Sequence, residues 1–215
     1  MVAGAVACAV CLIVLVILAY QVNPFENLDD SILGRLNASP GSLLKDLAFL
    51  AEQLVTPLSQ VVAVIVASLM ALSLGRRRRA LFAVALVSGT ALIVQVLKLL
   101  LENHRYEIAH GPQVGWFPFA TSFPSGNSAG ALAIMLAFLF VVPRRWRRPT
   151  LLIGVGLTLA VGIGLLALNY HYPSDVLGGW LVAGGWCFAL LALTTPHVSA
   201  LRKAQIERLP EDEYP

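Results

Sequence analysis

The sequence has 215 residues, of which 58% belong to the hydrophobic set and 13% are charged, with a formal net charge of +3. This composition is far more apolar than that of an ordinary soluble domain, so we expect a single membrane domain with little chain left for a soluble one. The net charge is too small to favour a nucleic-acid partner.

The first predicted element is an apolar helix over about residues 3–20. No positive residue precedes it and no clear cleavage site follows it, which indicates a retained spanning helix. Residues 21–57 are more polar and contain Pro24, Asp29 and Asp30. Within them, leucines recur at helical spacing opposite polar side chains, which predicts a short helix lying in the membrane interface. These leucines are Leu43, Leu47, Leu50 and Leu54.

Five further apolar stretches are each close to the ~20 residues that a spanning helix needs. They cover about residues 58–75, 80–101, 126–143, 150–169 and 175–195. The predicted fold is therefore all-α: a six-transmembrane-helix bundle with a short interfacial helical segment between the first and second spans. Residues 1–195 are expected to form one membrane domain, and residues 196–215 a charged cytoplasmic tail.

Basic residues are distributed unevenly over the two sides of this six-span arrangement. Runs of arginine follow the second span, at residues 76–79, and the fourth span, at residues 144–148. Together with the tail, this side carries 11 of the 15 Lys and Arg residues, against 4 on the other. We expect the protein to lie in the plasma membrane, and the positive-inside rule predicts that both termini are cytoplasmic.

The other notable polar residues fall at the ends of three predicted spans, all on the non-cytoplasmic side. Lys98 and Arg105 lie at and just beyond the end of the third span, residues 124–127 open the fourth, and His171 and Asp175 open the sixth. Taken alone, Lys98 is equally well explained as a charge anchored at the membrane boundary. The set as a whole indicates a site built from three chain segments at one depth.

The residue types in this set suit a phosphate group. Ser125 and Gly126 begin a helix, whose first N–H groups and positive dipole end bind anions. Lys98 and Arg105 add positive charge, and an arginine can donate two parallel hydrogen bonds to phosphate oxygens. His171 could act as a nucleophile that Asp175 orients.

Together these residues resemble the membrane branch of the type 2 phosphatidic acid phosphatase family, whose pattern is K-x6-R-P, then P-S-G-H, then S-R-x5-H-x3-D. Lys98 and Arg105 match the first block, residues 124–126 match the second, and His171 with Asp175 matches the third. The resemblance covers about residues 46–195. It implies that the third-block histidine attacks phosphorus, that the aspartate orients it, and that the second-block histidine protonates the leaving group.

The sequence departs from this pattern at three places. Asn127 stands where the second-block histidine is expected, and it is also a candidate phosphate-binding residue. Gly164 and Leu165 replace the Ser-Arg pair, and Tyr106 replaces the proline after the first-block arginine. Losing a general acid costs ~10²–10⁴ in rate. The loss matters less for a lipid diphosphate, whose leaving phosphate has a second pKa of roughly 6, so an active protein should favour diphosphates.

Three functions follow from this combination. The first is a lipid phosphate or diphosphate phosphatase at the outer membrane face, in which His104 or His110 could supply the missing acid. The second is an inactive lipid-phosphate-binding scaffold or partner of another membrane enzyme, and the third is a lipid-phosphate carrier or flippase. Membrane lipids and a lipid phosphate are the expected partners. No metal or other cofactor is expected, because nothing in the sequence has metal-ligand spacing.

Overall fold

The computed structural model describes residues 1–21, 23–36, 38–39, 41–101 and 123–206, and within these ranges the regular structure is entirely helical. This confirms the predicted all-α class. The α-helices are α1 (Val2–Gln21), α2 (Asn23–Leu36), α3 (Leu43–Gln53), α4 (Pro57–Ser73), α5 (Arg77–Leu101), α6 (Gly126–Val141), α7 (Arg147–Ala167) and α8 (Pro173–Ile206). A short 3-10 turn, Arg144–Trp146, leads from α6 into α7.

Four of the described helices are long and apolar enough to cross a membrane: α1, α5, α7 with its preceding turn, and the part of α8 up to Thr194. Helices α3 and α4 meet the same criterion only as a pair, bent by 55°, which is the geometry of a broken span or a re-entrant loop. Helix α6 is apolar but has only 16 residues. The described chain therefore has four or five apolar spans.

The segment between the first two predicted spans differs from expectation, because it holds two helices. The additional helix is α2, which begins at Asn23, so that Pro24 lies in the first turn, where its missing N–H would have no intrahelical acceptor in any case. In α3 the predicted leucine stripe is outward-facing, and the small Ala48 is the buried residue. Helix α3 therefore packs on α7 through a small side chain and presents its leucines to the surroundings.

Two helix ends differ from the predicted span limits for identifiable reasons. Helix α4 stops at Ser73 because Gly75 takes a left-handed φ of 69°, and Arg76 N–H then donates to Ala71 O. Helix α8 continues beyond the predicted limit at 195 to Ile206. The residues there include good helix formers such as Ala200, Leu201 and Lys203, which sustain the helix after the apolar stretch has ended.

Helix α6 lies at the centre of the bundle and packs against α4, α5, α7 and α8. Its small residues let the neighbouring helices approach, and Ala129, Ala133 and Ala137 are buried almost completely. Helix α1 lies at the periphery against α8, where Gly4 accommodates the ring of Phe188. The centre of the bundle is thus organised around one short helix with two distinct ends.

The C-terminal end of α6 lies among arginines. The Nη1 atom of Arg76 donates to Val141 O at 3.0 Å, and Nη1 of Arg79 donates to Phe140 O at 3.0 Å. These bonds supply donors to carbonyl groups that have no intrahelical N–H partner at the end of the helix. At ~1.5 Å per residue, the N-terminus of α6 lies roughly 24 Å away, at the other end of the bundle.

Candidate active site

Of the polar residues predicted to converge, those that the structure describes lie at the α6 N-terminus, opposite the arginines. Helix α5 begins at Arg77 and brings Lys98 to this end, while α7 runs from the arginine end toward His171. Helix α8 starts from the same end with Pro173. Three helix ends and one turn therefore supply the site.

A tight helix termination brings His171 into position. Asn169 takes a left-handed φ of 58°, Asn169 N–H donates to Leu166 O, and Tyr170 N–H donates to Leu165 O. This is the Schellman pattern of helix ends, and asparagine is one of the few residues besides glycine that tolerates the conformation. Pro173 then opens α8, where a fixed φ favours the first helical turn. His171 is held in a short, well-defined connection between two long helices.

Asp175 is fully buried in the first turn of α8 and lies next to His171. Its Oδ2 accepts a hydrogen bond from Tyr172 N–H at 3.0 Å and lies 3.4 Å from His171 Nδ1. The first contact is one half of a capping box, and the carboxylate also benefits from the positive end of the helix dipole. The second distance exceeds the usual ~2.9 Å of an N–H···O bond, as is common for catalytic contacts before substrate binds.

The N-terminus of α6 is tied directly to the N-terminus of α8. Ser125 N–H donates to the backbone oxygen of Asp175 at 3.0 Å, and the Ser128 hydroxyl donates to Val176 O at 3.0 Å. The Ser125 hydroxyl caps α6 by accepting from Ser128 N–H at 3.3 Å. Ser125 is completely buried, so its role in the described structure is to shape the helix end that exposes Gly126.

The close approach of these two helices depends on Gly179. A Cβ atom at that position would lie 2.2 Å from Ser128 Oγ and 2.5 Å from Ser125 O. Any larger residue would push α8 away from the start of α6. The geometry that places Asp175 beside Ser125 therefore requires glycine one turn further along α8.

Of the two basic residues predicted for the site, the structure describes one, Lys98. Lys98 is half-buried near the end of α5, at the end of the bundle where α8 begins. Gly126 lies on the same side, and a Cβ atom at this position would lie 3.7 Å from Val94 Cγ1 of α5. Arg105, together with His104, His110 and Tyr106, lies outside the described residues.

Asn127, at the position of the expected histidine, is paired with an acidic residue that the sequence pattern did not indicate. Its Nδ2 donates to Glu52 Oε1 at 3.2 Å, across 75 residues of sequence. Glu52 belongs to α3, where the sequence suggested only the polar face of an interfacial helix. A carboxylate therefore lies beside the start of α6.

The corner that the family pattern assigns to an arginine is apolar here. Leu165 is fully buried and packs in a cluster with Leu33, Val55 and Tyr172. At Gly164 a Cβ atom would lie 3.2 Å from both the α-carbon and the carbonyl oxygen of Ala48, so α3 approaches α7 backbone to backbone. Helix α3 fills the space beside the missing arginine.

A second acidic residue that the sequence did not indicate contacts the α8 N-terminus. Asp29 of α2 is only 3% exposed. Its Oδ1 accepts from Ser174 N–H at 3.2 Å, and its Oδ2 accepts from the Ser174 hydroxyl. Asp29 thereby links α2 to the residue that precedes Asp175.

Comparison with known proteins identifies relatives of this chain. A sequence model described as the PAP2 superfamily matches residues 78–198. A lipid A 1-phosphatase of Rhizobium etli is 31% identical over 131 residues, which cover 57% of this chain and 52% of that protein. The undecaprenyl-diphosphatase BcrC of Bacillus subtilis is 42% identical over 62 residues, 29% of this chain and 30% of that protein. The chain thus matches about half or less of the length of these relatives.

A solved structure shares the fold. The crystal structure of a transmembrane PAP2-type phosphatidylglycerolphosphate phosphatase from Bacillus subtilis superposes with a TM-score of 0.76. The match covers 90% of this chain and 96% of that one, at 19% sequence identity. The helical arrangement described above is therefore one that a known membrane phosphatase also adopts.

Proposed function

Because the chain belongs to the PAP2 superfamily, we propose that this multi-pass membrane protein is a lipid phosphate or diphosphate phosphatase that works through a phosphohistidine at His171. The observation that carries the proposal is the His171–Asp175 pair, held beside the N-terminus of α6 by the bond from Ser125 N–H to Asp175 O. A site that only bound phosphate would have little need of an oriented imidazole.

The reaction begins with attack by His171 on phosphorus. When Nδ1–H of the imidazole points toward Asp175, Nε2 carries the free electron pair and forms the P–N bond as the P–O bond to the leaving group breaks. The Asp175 carboxylate stabilises the positive charge that develops on the ring. Water then attacks the phosphohistidine, the P–N bond breaks, and orthophosphate is released.

The phosphoryl oxygens are held by charge and by backbone donors. Lys98 and Arg105 supply positive charge, and Gly126 lets the oxygens approach the first N–H groups of α6, to which Asn127 adds an amide. Such preorganised donors commonly contribute ~10²–10³ each to the rate. Leu165 contributes nothing of this kind, so the site works with fewer cations than the family pattern supplies.

The preferred substrate is a lipid diphosphate. Asn127 is neutral and cannot deliver a proton at neutral pH, so departure of a poor alkoxide leaving group is slow. A phosphate monoester leaving from a diphosphate is already stable as an anion. The names of the relatives, a lipid A 1-phosphatase and an undecaprenyl-diphosphatase, support a lipid-linked phosphate or diphosphate as the substrate class.

The active site faces the outer side of the plasma membrane. In the proposed topology residues 1–195 form one domain with six membrane-crossing segments, α3 and α4 making a bent second one, and both termini are cytoplasmic. Support comes from the arginines that bind the C-terminal end of α6, at the opposite end of the bundle from His171. Residues 196–215 follow on the cytoplasmic side.

Phosphate release by the purified protein in detergent tests this function. We expect faster release from a polyprenyl diphosphate than from a lipid monophosphate, and His171→Ala should abolish both. Full activity in His171→Ala would refute the phosphohistidine route.

One observation favours a second function, an inactive lipid-phosphate-binding partner of another membrane enzyme. Apolar packing around Leu165 removes a charge that would stabilise the transition state. Under this alternative, the wild-type protein releases no phosphate from either substrate but retains lipid diphosphate in a binding assay. Lys98→Ala should then weaken that binding.

A further inference from the structure

Glu52 lies one hydrogen bond from the position that the family pattern gives to the proton-transfer histidine. Its Oε1 accepts from Asn127 Nδ2 at 3.2 Å, and its Oε2 accepts from Gln53 Nε2 at 2.9 Å. Both oxygens therefore act as hydrogen-bond acceptors. Since Asn127 can neither give nor take a proton, Glu52 is the member of this described contact pair that can.

The helix that carries Glu52 is fixed on both sides. One turn earlier, Ala48 packs against Gly164 of α7, where the two backbones come close enough that a Cβ at Gly164 would lie 3.2 Å away. Just after α3, Val55 is buried, and its carbonyl accepts from Gln60 Nε2 at 2.8 Å. The Gln60 amide in turn fills the space beside Gly130 of α6.

These contacts place Glu52 at the same helix end as the nucleophile. Asn127 follows Gly126 in the first turn of α6, and Ser125, two residues before it, binds Asp175 through the backbone. Asp175 contacts His171. Glu52 is only half-buried, so water can reach it.

We propose that Glu52 is the general base of phosphohistidine hydrolysis, a role that rests on the function proposed above. The carboxylate takes a proton from a water molecule as the water oxygen bonds to phosphorus. The P–N bond breaks, its electron pair returns to Nε2 of His171, and orthophosphate leaves. Glu52 then releases the proton to solvent. The hydrogen bond from Asn127 orients the carboxylate for this step.

This assignment accounts for both consequences of losing the second-block histidine, the missing acid of the first step and the missing base of the second. A diphosphate substrate needs no strong acid in the first step, because its leaving group is a stable anion. The second step needs a base in every case, and the glutamate of α3 supplies it. Asn127 is then an orienting residue for Glu52 as well as a phosphate ligand.

The test uses the full-length protein in detergent with a polyprenyl diphosphate that carries a radiolabelled terminal phosphate. In Glu52→Gln the amide oxygen can still accept from Asn127, but it cannot take a proton. We expect steady-state phosphate release to fall by ~10²–10⁴-fold. His171 is still phosphorylated, so labelled protein should accumulate during the reaction and be detected after an alkaline quench.

Asp46→Asn is the matched control, because Asp46 is an exposed acidic residue of the same helix. We expect it to release phosphate at the wild-type rate without accumulation of labelled protein. Adding Asn127→His to Glu52→Gln should restore turnover, since a histidine there can act as the base.

Two results separate this inference from the function on which it rests. If wild-type protein is active and Glu52→Gln turns over at the same rate, or slows without accumulating phosphoprotein, the role of Glu52 is refuted and the phosphatase function stands. If wild-type protein forms no phosphoprotein and releases no phosphate, both are refuted.

If Glu52→Gln is not recovered as folded protein, Glu52→Asp provides the test. It keeps the charge and withdraws the carboxylate by one methylene, and a misplacement of ~1 Å can cost ~10²-fold in rate. Slow turnover with accumulated phosphoprotein supports the proposal, and unchanged turnover overturns it.

Discussion

The carboxyl group and backbone of Asp175 join three parts of the site. The side chain binds Tyr172 N–H and contacts His171, and the backbone oxygen binds Ser125 N–H. A buried carboxylate is expensive unless such partners compensate for its lost hydration. The hydrogen bond from Tyr172 N–H to Oδ2 and the dipole of α8 offset part of this cost. One residue thus orients the proposed nucleophile and aligns two helix ends.

Replacing Asn127 with histidine should change substrate preference. An imidazolium at this position can protonate an alkoxide leaving group, so Asn127→His should accelerate cleavage of a lipid monophosphate by ~10²-fold or more and that of a diphosphate much less. Initial rates of phosphate release on the two substrates provide the measurement. Equal acceleration on both would contradict the leaving-group explanation.

Sequence patterns could predict some of these residues but not others. Asp175 lies four residues after His171, and Ser125 and Gly126 form a recognisable helix start. Local spacing was therefore sufficient to predict the contact between His171 and Asp175 and the start of α6. Glu52 contacts Asn127 across 75 residues, and Asp29 contacts Ser174 across 145. Such pairings depend on helix packing, and an isolated acidic residue in a polar stretch gives no local sign of them.

At the scale of helices, the contact between α6 and α8 determines the shape of the site. In Gly179→Ala, with the backbone unmoved, the new Cβ atom would lie only 2.2 Å from Ser128 Oγ and 2.5 Å from the Ser125 carbonyl oxygen. Overpacking of this kind typically destabilises a protein by ~1–3 kcal/mol. We expect a lower thermal unfolding temperature in detergent and, because the α6 N-terminus must shift, reduced phosphate release.

Gly156→Ala is the matched control for that substitution. Gly156 lies within α7, and no described atom lies within 4 Å of the position its Cβ would take. Alanine is favoured over glycine in a helix by ~0.5–1 kcal/mol, so this variant should be as stable as the wild type or slightly more so. If both variants unfold alike, the close contact at Gly179 does not have the importance assigned to it.

Helix α2 is attached to α8 through Asp29. Asp29→Ala removes the acceptors for both the N–H and the hydroxyl of Ser174, and losing buried hydrogen-bond partners costs ~1–3 kcal/mol. We expect a clear fall in the unfolding temperature, whereas Asp30→Ala, at the exposed neighbouring position, should change it little. Equal effects of the two substitutions would show that the Asp29 contact is not stabilising.

Apolar stretches predicted the position of the long helices well, because their composition alone requires a nonpolar environment. Helices α1, α5, α7 and α8 all begin within about three residues of the predicted limits. Helix α2 was not predicted, because Asp29 and Asp30 interrupt the continuous apolar composition that identified the long helices. Its Leu28, Ile32 and Leu36 nevertheless recur at helical spacing. For α3, periodicity identified the leucine face but not Ala48 as the residue that packs against α7, because periodicity identifies a face but not its partner.

At the scale of the whole molecule, the two ends of the bundle differ in chemistry. Arginines bind the C-terminal end of α6, and the candidate site surrounds its N-terminus. Under the proposed topology, a site at the end away from the arginines would meet lipid head groups of the outer leaflet.

Cysteine labelling in intact cells tests the orientation. After replacement of Cys8, Cys11 and Cys187 with alanine, a membrane-impermeant reagent should label Ser31→Cys directly, since Ser31 is an exposed residue of α2. Arg145→Cys, in the exposed turn before α7, should be labelled only after permeabilisation. The reverse pattern would place the candidate site in the cytoplasm.

The most direct test of the central claim is to locate the covalent intermediate. After brief reaction with a polyprenyl diphosphate labelled in its terminal phosphate and an alkaline quench, we expect the label on the peptide that contains His171, and none on His171→Ala protein. Label on a different residue, or undiminished phosphate release by His171→Ala, would contradict the proposed mechanism.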